Sequence, residues 1–188
     1  MTVYLISLGA NSGVSRSANA RKVAGAGRCL AAAFGRGLAL SSLFATPAWP
    51  PGIGPDFVNA AATFMSDQPP ERILDRLHGI ETRFGRTRDL RWGARILDLD
   101  LVGGGGLVRP GNVAATAWIN LPPDAQSVHV PDHLLLPHPR LQDRGFVLMP
   151  LAEIAPHWRH PLTGRSIAAM AADLPRQARR GIRRLGRL

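Results

Sequence analysis

Apolar residues run without alternation from Val3 to Leu8 and stop at Gly9-Ala10-Asn11-Ser12-Gly13. A short apolar run that ends in turn formers predicts a strand and a turn. From about Ser15 the period changes. Val23, Gly27, Leu30 and Phe34 recur at helical spacing, and Gly35 is placed to stop the helix. Gly37 to Ala45 is the next expected strand and Phe57 to Met65 another, with the Pro- and Gly-rich stretch Thr46 to Pro55 between them. Pro69-Pro70 opens a second helix, whose apolar stripe is Ile73, Leu74, Leu77, Ile80 and Phe84 before Gly85. A polar, arginine-rich loop from Arg86 to Trp92 then leads into a fourth strand, Arg95 to Leu101.

Strand, helix, strand, strand, helix, strand is the split βαβ order. It predicts an α+β fold, a ferredoxin-like βαββαβ sandwich with additional C-terminal strands and short helices. Residues 1–175 are expected to form a single domain, with a long excursion at about 103–126 that starts in the glycine run Gly103 to Gly106 and shows no clear period. That excursion reads as part loop and part short strand. Order should return at Val128 to Leu136, and Phe146 to Ile154 reads as a short helix. The remainder, 176–188, is a basic tail carrying Arg176, Arg179, Arg180, Arg183, Arg184 and Arg187. It predicts a solvated or frayed helix, dispensable for chemistry.

Composition narrows the function. A chain of 188 residues can bury one core. It has no apolar run near the roughly 20 residues that cross a bilayer, so no membrane partner is expected. The N-terminus lacks the basic region of a signal peptide. The single cysteine, Cys29, cannot close an internal disulfide, which suits the cytoplasm. The net charge of +10 favours an anionic partner, and ATP would satisfy it as well as RNA. An RNA-binding module of this class typically shows a glycine-aromatic motif on a central strand, and none is present, so no nucleic-acid partner is expected. The chain is expected to act as a monomer.

The sharpest chemistry lies in Arg86-Thr87-Arg88-Asp89-Leu90-Arg91-Trp92-Gly93-Ala94-Arg95-Ile96-Leu97-Asp98-Leu99-Asp100-Leu101. On a strand Asp98 and Asp100 share a face, about 7 Å apart, while Leu97, Leu99 and Leu101 point into the core. Such carboxylates can converge on hard cations. An isolated Asp-x-Asp reads first as a half-buried strand with a solvated acidic face. The arginines beside it, Arg86, Arg88, Arg91 and Arg95, change the balance, because guanidinium groups next to a metal-bound polyphosphate stabilise transferring phosphoryl charge.

The same segment resembles the signature of the 6-hydroxymethyl-7,8-dihydropterin pyrophosphokinases. Leu8-Gly9-Ala10-Asn11, Thr46-Pro47 with Phe57-Val58-Asn59-Ala60, and Pro137-His138-Pro139-Arg140-Leu141 followed by Arg144-Gly145-Phe146-Val147-Leu148 resemble further family blocks in the same order. The resemblance spans roughly Val3 to Pro161. It implies pyrophosphate transfer from ATP to a pterin alcohol in folate biosynthesis, with Asp98 and Asp100 binding two Mg²⁺ ions. It also implies that Arg86, Arg88, Arg95, His138 and Arg144 contact the ATP phosphates and that Trp92 belongs to a mobile lid. Arg86, Arg95, Asp98 and Asp100 would be the catalytic set. Thr46, Pro47, Phe57, Asn59 and Phe146 would form the pterin site, with the two phenylalanines sandwiching the ring. Glu81 matches an acidic family position and equally fits a helix-surface ion pair. His133 stands where some members have arginine, and Trp49 would be a cap for the pterin. A different Mg²⁺-dependent phosphoryl or nucleotidyl transferase is the alternative on the motif chemistry alone.

Overall fold

The first apolar run becomes β1 (Thr2–Ala10), and its lack of alternation has a structural cause. Tyr4, Ile6 and Leu8 enter one hydrophobic cluster and Leu5 another, so the strand is buried on both faces. The computed structural model describes residues 1–48, 55–86, 96–122, 125, 128–129 and 131–188. Helix α1 (Arg16–Phe34) starts at Ser15, whose side chain accepts from the Ala18 amide, and stops at Gly35 with φ +31. A cap of this kind stabilises the helix by about 1 kcal/mol.

The strand expected at Gly37 to Ala45 is divided into β2 (Ala39–Leu40) and β3 (Ser42–Thr46). Ser41 causes the break, because its hydroxyl accepts the Ala61 amide and donates to the Ser42 carbonyl. β4 (Phe57–Ser66) and α2 (Pro70–Arg83) lie where the pattern places them, with Pro70 in the first turn of α2. β5 (Asp98–Gly104) begins and ends later than expected. Its glycines do not break it. A Cβ at Gly103 would sit 3.0 Å from the Trp158 ring, and one at Gly104 would sit 2.8 Å from Tyr4. Two aromatic rings lie against the sheet where side chains are missing.

The strands form one sheet in the order β5-β1-β4-β3-β6, where β6 is Arg183–Arg187, with β2 also paired to β4 and every pairing among the described residues antiparallel. One face packs on α1 and α2 through Val23, Leu30, Ile73 and Leu77, together with Leu97, Leu99 and Leu101 from the β5 segment. The stacked rings of Phe34 and Phe64, with centroids 4.0 Å apart, belong to the same cluster. The opposite face, lined by Leu5, Ala61 and Val102, is covered by α4 (Gly145–Ile154) and α5 (Ile167–Ala172). Burial of the Val147, Leu148 and Leu151 side chains in α4 stabilises the fold by about 1.5–3 kcal/mol each.

Two expectations for the C-terminal half are corrected. The excursion contains a helix, α3 (Asn112–Asn120), and among the described residues from Val128 to Leu136 there is no strand: Val128 is helical and Leu136 forms an isolated bridge with Arg109. The basic tail is not a frayed helix. After the short α6 (Arg176–Arg179) it forms β6 (Arg183–Arg187), which pairs with β3. Glu153 of α4 fixes the junction by accepting from the Ser42 amide at 2.7 Å and the Arg184 Nε at 2.8 Å. An edge strand is held by its backbone ladder, and arginine on an exposed edge gives no apolar signal to read.

Candidate active site

Sheet register assembles the centre of the site. Gly9 of β1 pairs with Asp98 on one side and Asn59 on the other, and Ser7 pairs with Asp100 and Ala61. Directly opposed residues on paired strands share a face. Asp98, Asp100 and Asn59 therefore stand on the face that also carries Leu5, Ala61 and Val102. Gly9 lets the Asn59 amide lie close over β1, since a Cβ there would come within 2.6 Å of Asn59 Oδ1.

The amide side is satisfied internally. Asn59 is 3 % exposed and its Nδ2 donates to Thr46 Oγ1 at 2.6 Å. A buried amide needs such a partner, and the β3–β4 ladder supplies it by pairing Thr46 with Phe57 two residues before Asn59. Phe57 is half-buried and Pro47 is exposed at the end of β3. Phe146 is half-buried in the first turn of α4. Phe57 and Phe146 share no ring contact.

The acidic side is a charge cluster. Arg86 bridges Glu81 and Asp98, and Glu81, 2 % exposed, also accepts the Leu99 amide at 2.7 Å. The surface-ion-pair reading of Glu81 is thus corrected: this carboxylate ties α2 to β5 from inside the protein. Burial raises the Glu81 carboxyl above the usual range, with the Leu99 amide and Arg86 opposing and Asp98 and Asp100 adding to the rise. Burial would lower Arg86, but Asp98 and Glu81 outweigh it and raise the guanidinium further.

A third group comes from the connection that precedes α4. The His138 amide donates to the Val102 carbonyl at 3.0 Å, which seats the residue beside β5. Its Nδ1 accepts the Arg140 amide at 3.0 Å, so the proton of the neutral ring belongs on Nε2, which faces Arg144 at 3.3 Å. Burial, followed by Arg144 and Arg140, lowers the ring to about 3, so it is neutral at pH 7. Two donors converge, an arrangement that an anionic oxygen between them would satisfy. The Arg144 guanidinium also lies 5.6 Å from the Phe146 ring centroid.

Arg88, Trp92 and Arg95, together with Trp49 and the rest of the expected lid beyond Arg86, lie outside the described residues. Among the described residues no group of three or more His, Cys, Asp or Glu side chains is placed to hold a metal. Asp98 and Asp100 nevertheless fit a hard cation, which takes its remaining oxygens from phosphate and water. Arg86 beside Asp98 marks a position that already favours positive charge.

Paired carboxylates and a buried amide on one sheet face, with converging cationic and neutral donors beside β5, suit a transferase that grips a polyphosphate beside a flat polar ring. The comparisons give that class its family. Residues 5–156 match the model of the 7,8-dihydro-6-hydroxymethylpterin-pyrophosphokinase family, and the chain belongs to it. It is 37 % identical over 148 residues to a 2-amino-4-hydroxy-6-hydroxymethyldihydropteridine pyrophosphokinase of Pseudomonas aeruginosa, covering 79 % of this chain and 76 % of that protein. A relative of the same name from Methylorubrum extorquens is 35 % identical over 158 residues, covering 83 % of this chain and 84 % of its own length. A third, from Synechocystis, is 39 % identical over 113 residues, covering 60 % of this chain, and the match spans only 48 % of that longer protein. In structure, wild-type Plasmodium falciparum HPPK-DHPS matches with a TM-score of 0.58 at 12 % identity, over 91 % of this chain and 44 % of that one, a likeness of fold alone. Pyrophosphoryl transfer in folate biosynthesis is the activity that family membership assigns.

Proposed function

We propose that the chain transfers the pyrophosphoryl group of ATP to the hydroxymethyl oxygen of 6-hydroxymethyl-7,8-dihydropterin and releases AMP. The observation that carries this reading is the row Asp98–Gly9–Asn59, which sets an acidic position and a buried amide on one sheet face, either side of a residue without a side chain. Asn59, oriented by Thr46, holds the polar edge of the ring, while Pro47, Phe57 and Phe146 enclose its faces. Arg86, His138 and Arg144 bind triphosphate oxygens, joined by Arg88, Trp92 and Arg95 of the preceding loop. Asp98 and Asp100 would hold two Mg²⁺ ions, which when bound screen the triphosphate and stabilise its developing charge.

The alcohol oxygen forms a bond to the β-phosphorus. The bond from that phosphorus to the bridging oxygen breaks, AMP keeps that oxygen, and the alcohol proton passes to water. No described side chain is positioned as a general base, so the protein acts by alignment and electrostatic stabilisation. The first four long strands are read as a ferredoxin-like unit, which the order β5-β1-β4-β3 supports. The lone cysteine supports a cytoplasmic enzyme, and we take it to act as a monomer.

Product analysis with ATP, Mg²⁺ and the pterin alcohol tests the reaction. AMP is expected. ADP would identify a simple kinase instead, and no turnover would leave only a binding role.

A further inference from the structure

We propose that residues 176–188, which lie beyond the family match, are a positioning element for the pterin side of the site. The inference rests on the function proposed above.

The segment touches both supports of that side. Gly181, at φ +76, lies so close to Pro47 that a Cβ would come within 2.6 Å of its Cγ. A Cβ at Gly145, the residue between Arg144 and Phe146, would run into the Ala178 carbonyl and come within 3.0 Å of Ile182 Cδ1. β6 then pairs Arg183 with Ala45 and Arg184 with Phe44, the two residues before Thr46. Arg184 also donates to Ser42 Oγ at 3.0 Å and to Glu153, joining β3 to α4 at the far end of the same strand. The segment therefore spans from the Thr46–Pro47 corner to the first turn of α4, and both ends close at van der Waals range. Packed contacts of this kind transmit displacement because no slack remains. Without β6, β3 would be a sheet edge, and Phe44 and Ala45, which lead to the Thr46 hydroxyl that orients Asn59, would be held by one ladder instead of two.

None of these residues needs to touch the pterin; they act through Pro47, Thr46 and the start of α4. A merely stabilising edge strand would lower the melting temperature without changing which substrate binds poorly. Two glycines of the same segment separate these roles. Gly186 has φ +147 and nothing within 4 Å of where a Cβ would sit, whereas Gly181 abuts Pro47. Gly181→Ala and Gly186→Ala both strain the backbone, but only the first pushes on the pterin corner.

The test is steady-state kinetics on the full chain, with melting temperatures in parallel. Gly181→Ala should raise the pterin KM about tenfold with the ATP KM unchanged, while Gly186→Ala keeps both at wild type. A wild-type pterin KM in Gly181→Ala, or equal changes in both variants that track the melting temperature, would overturn the proposal. Should Gly181→Ala fail to fold, Arg184→Ala carries the same test, because that side chain is 56 % exposed and leaves no cavity. It should raise the pterin KM about threefold and spare ATP, and an unchanged value would again overturn the proposal. AMP production by the wild type checks the underlying reaction separately. If wild type binds pterin without turnover, the comparison is made on calorimetric affinity, and absence of pterin binding sinks both readings.

Discussion

The two sides of the site are built on opposite physical terms. On the amide side the polar groups have neutral partners: Asn59 donates to Thr46, the ladder fixes both, and Gly9 lets the amide lie against β1. On the phosphate side charges are balanced against one another. Arg86 is shared by Glu81 and Asp98, and a ring proton faces a guanidinium. The first arrangement is complete before a ligand arrives and can act as a rigid template. The second holds electrostatic interactions that a polyphosphate and its cation would rearrange, so ligand binding should change the phosphate side more.

Replacing the acids should break the comparison most strongly. Asp98→Asn and Asp100→Asn keep side-chain size and lose the charge that would face the proposed cation. Each should lower turnover at least about a hundredfold, roughly 3 kcal/mol of barrier, with the circular dichroism spectrum unchanged. Turnover near wild type in both would remove the metal assignment and the pyrophosphokinase mechanism with it.

Glu81→Ala attacks the same side through stability. It strips Arg86 and the Leu99 amide of a buried acceptor, which should cost about 3 kcal/mol and lower the melting temperature by about 6–12 °C. A melting curve within a degree or so of wild type would mean that water replaces the carboxylate. Asn59→Ala tests the amide side. Leaving ring polar groups unpaired should weaken pterin binding by about 1–3 kcal/mol in calorimetry, with the affinity for an ATP analogue unchanged. Equal losses for the two ligands would erase the distinction between template and charge balance.

The smallest expected effect is a pH slope. His138 titrates near 6.5 in the unfolded chain and at about 3 in the fold, so the unfolded state binds the extra proton first. The neutral ring's contribution is complete above pH 6.5 and declines as pH falls towards about 3. His138→Gln should flatten the melting temperature against pH in that window. Some slope will persist, because burial also lowers His160, whose Nδ1 accepts the Leu162 and Thr163 amides at 3.3 Å each. An unaltered slope would show that His138 reaches solvent freely.

Local pattern determined a good deal of this protein. The period of Val23, Leu30 and Phe34 defined α1, with Ser15 and Gly35 as its ends, and strand alternation placed Leu97, Leu99 and Leu101 in the core opposite the acids. Those features depend on backbone periodicity and on neighbours close in sequence, so they are legible along the chain. Tertiary structure decided the rest. Gly103 and Gly104 read as a break until Trp158 and Tyr4 are found lying on them. Glu81 fitted a surface ion pair as well as an acidic family position until the Leu99 amide was found donating to it. The arginine tail read as a solvated helix until β3 offered it an edge. In each case the deciding partner is distant in sequence or on another element, and the energy gained comes from backbone pairing, close packing or a buried charge. Such gains exist only once the partner is in place, and no periodicity within the segment records them.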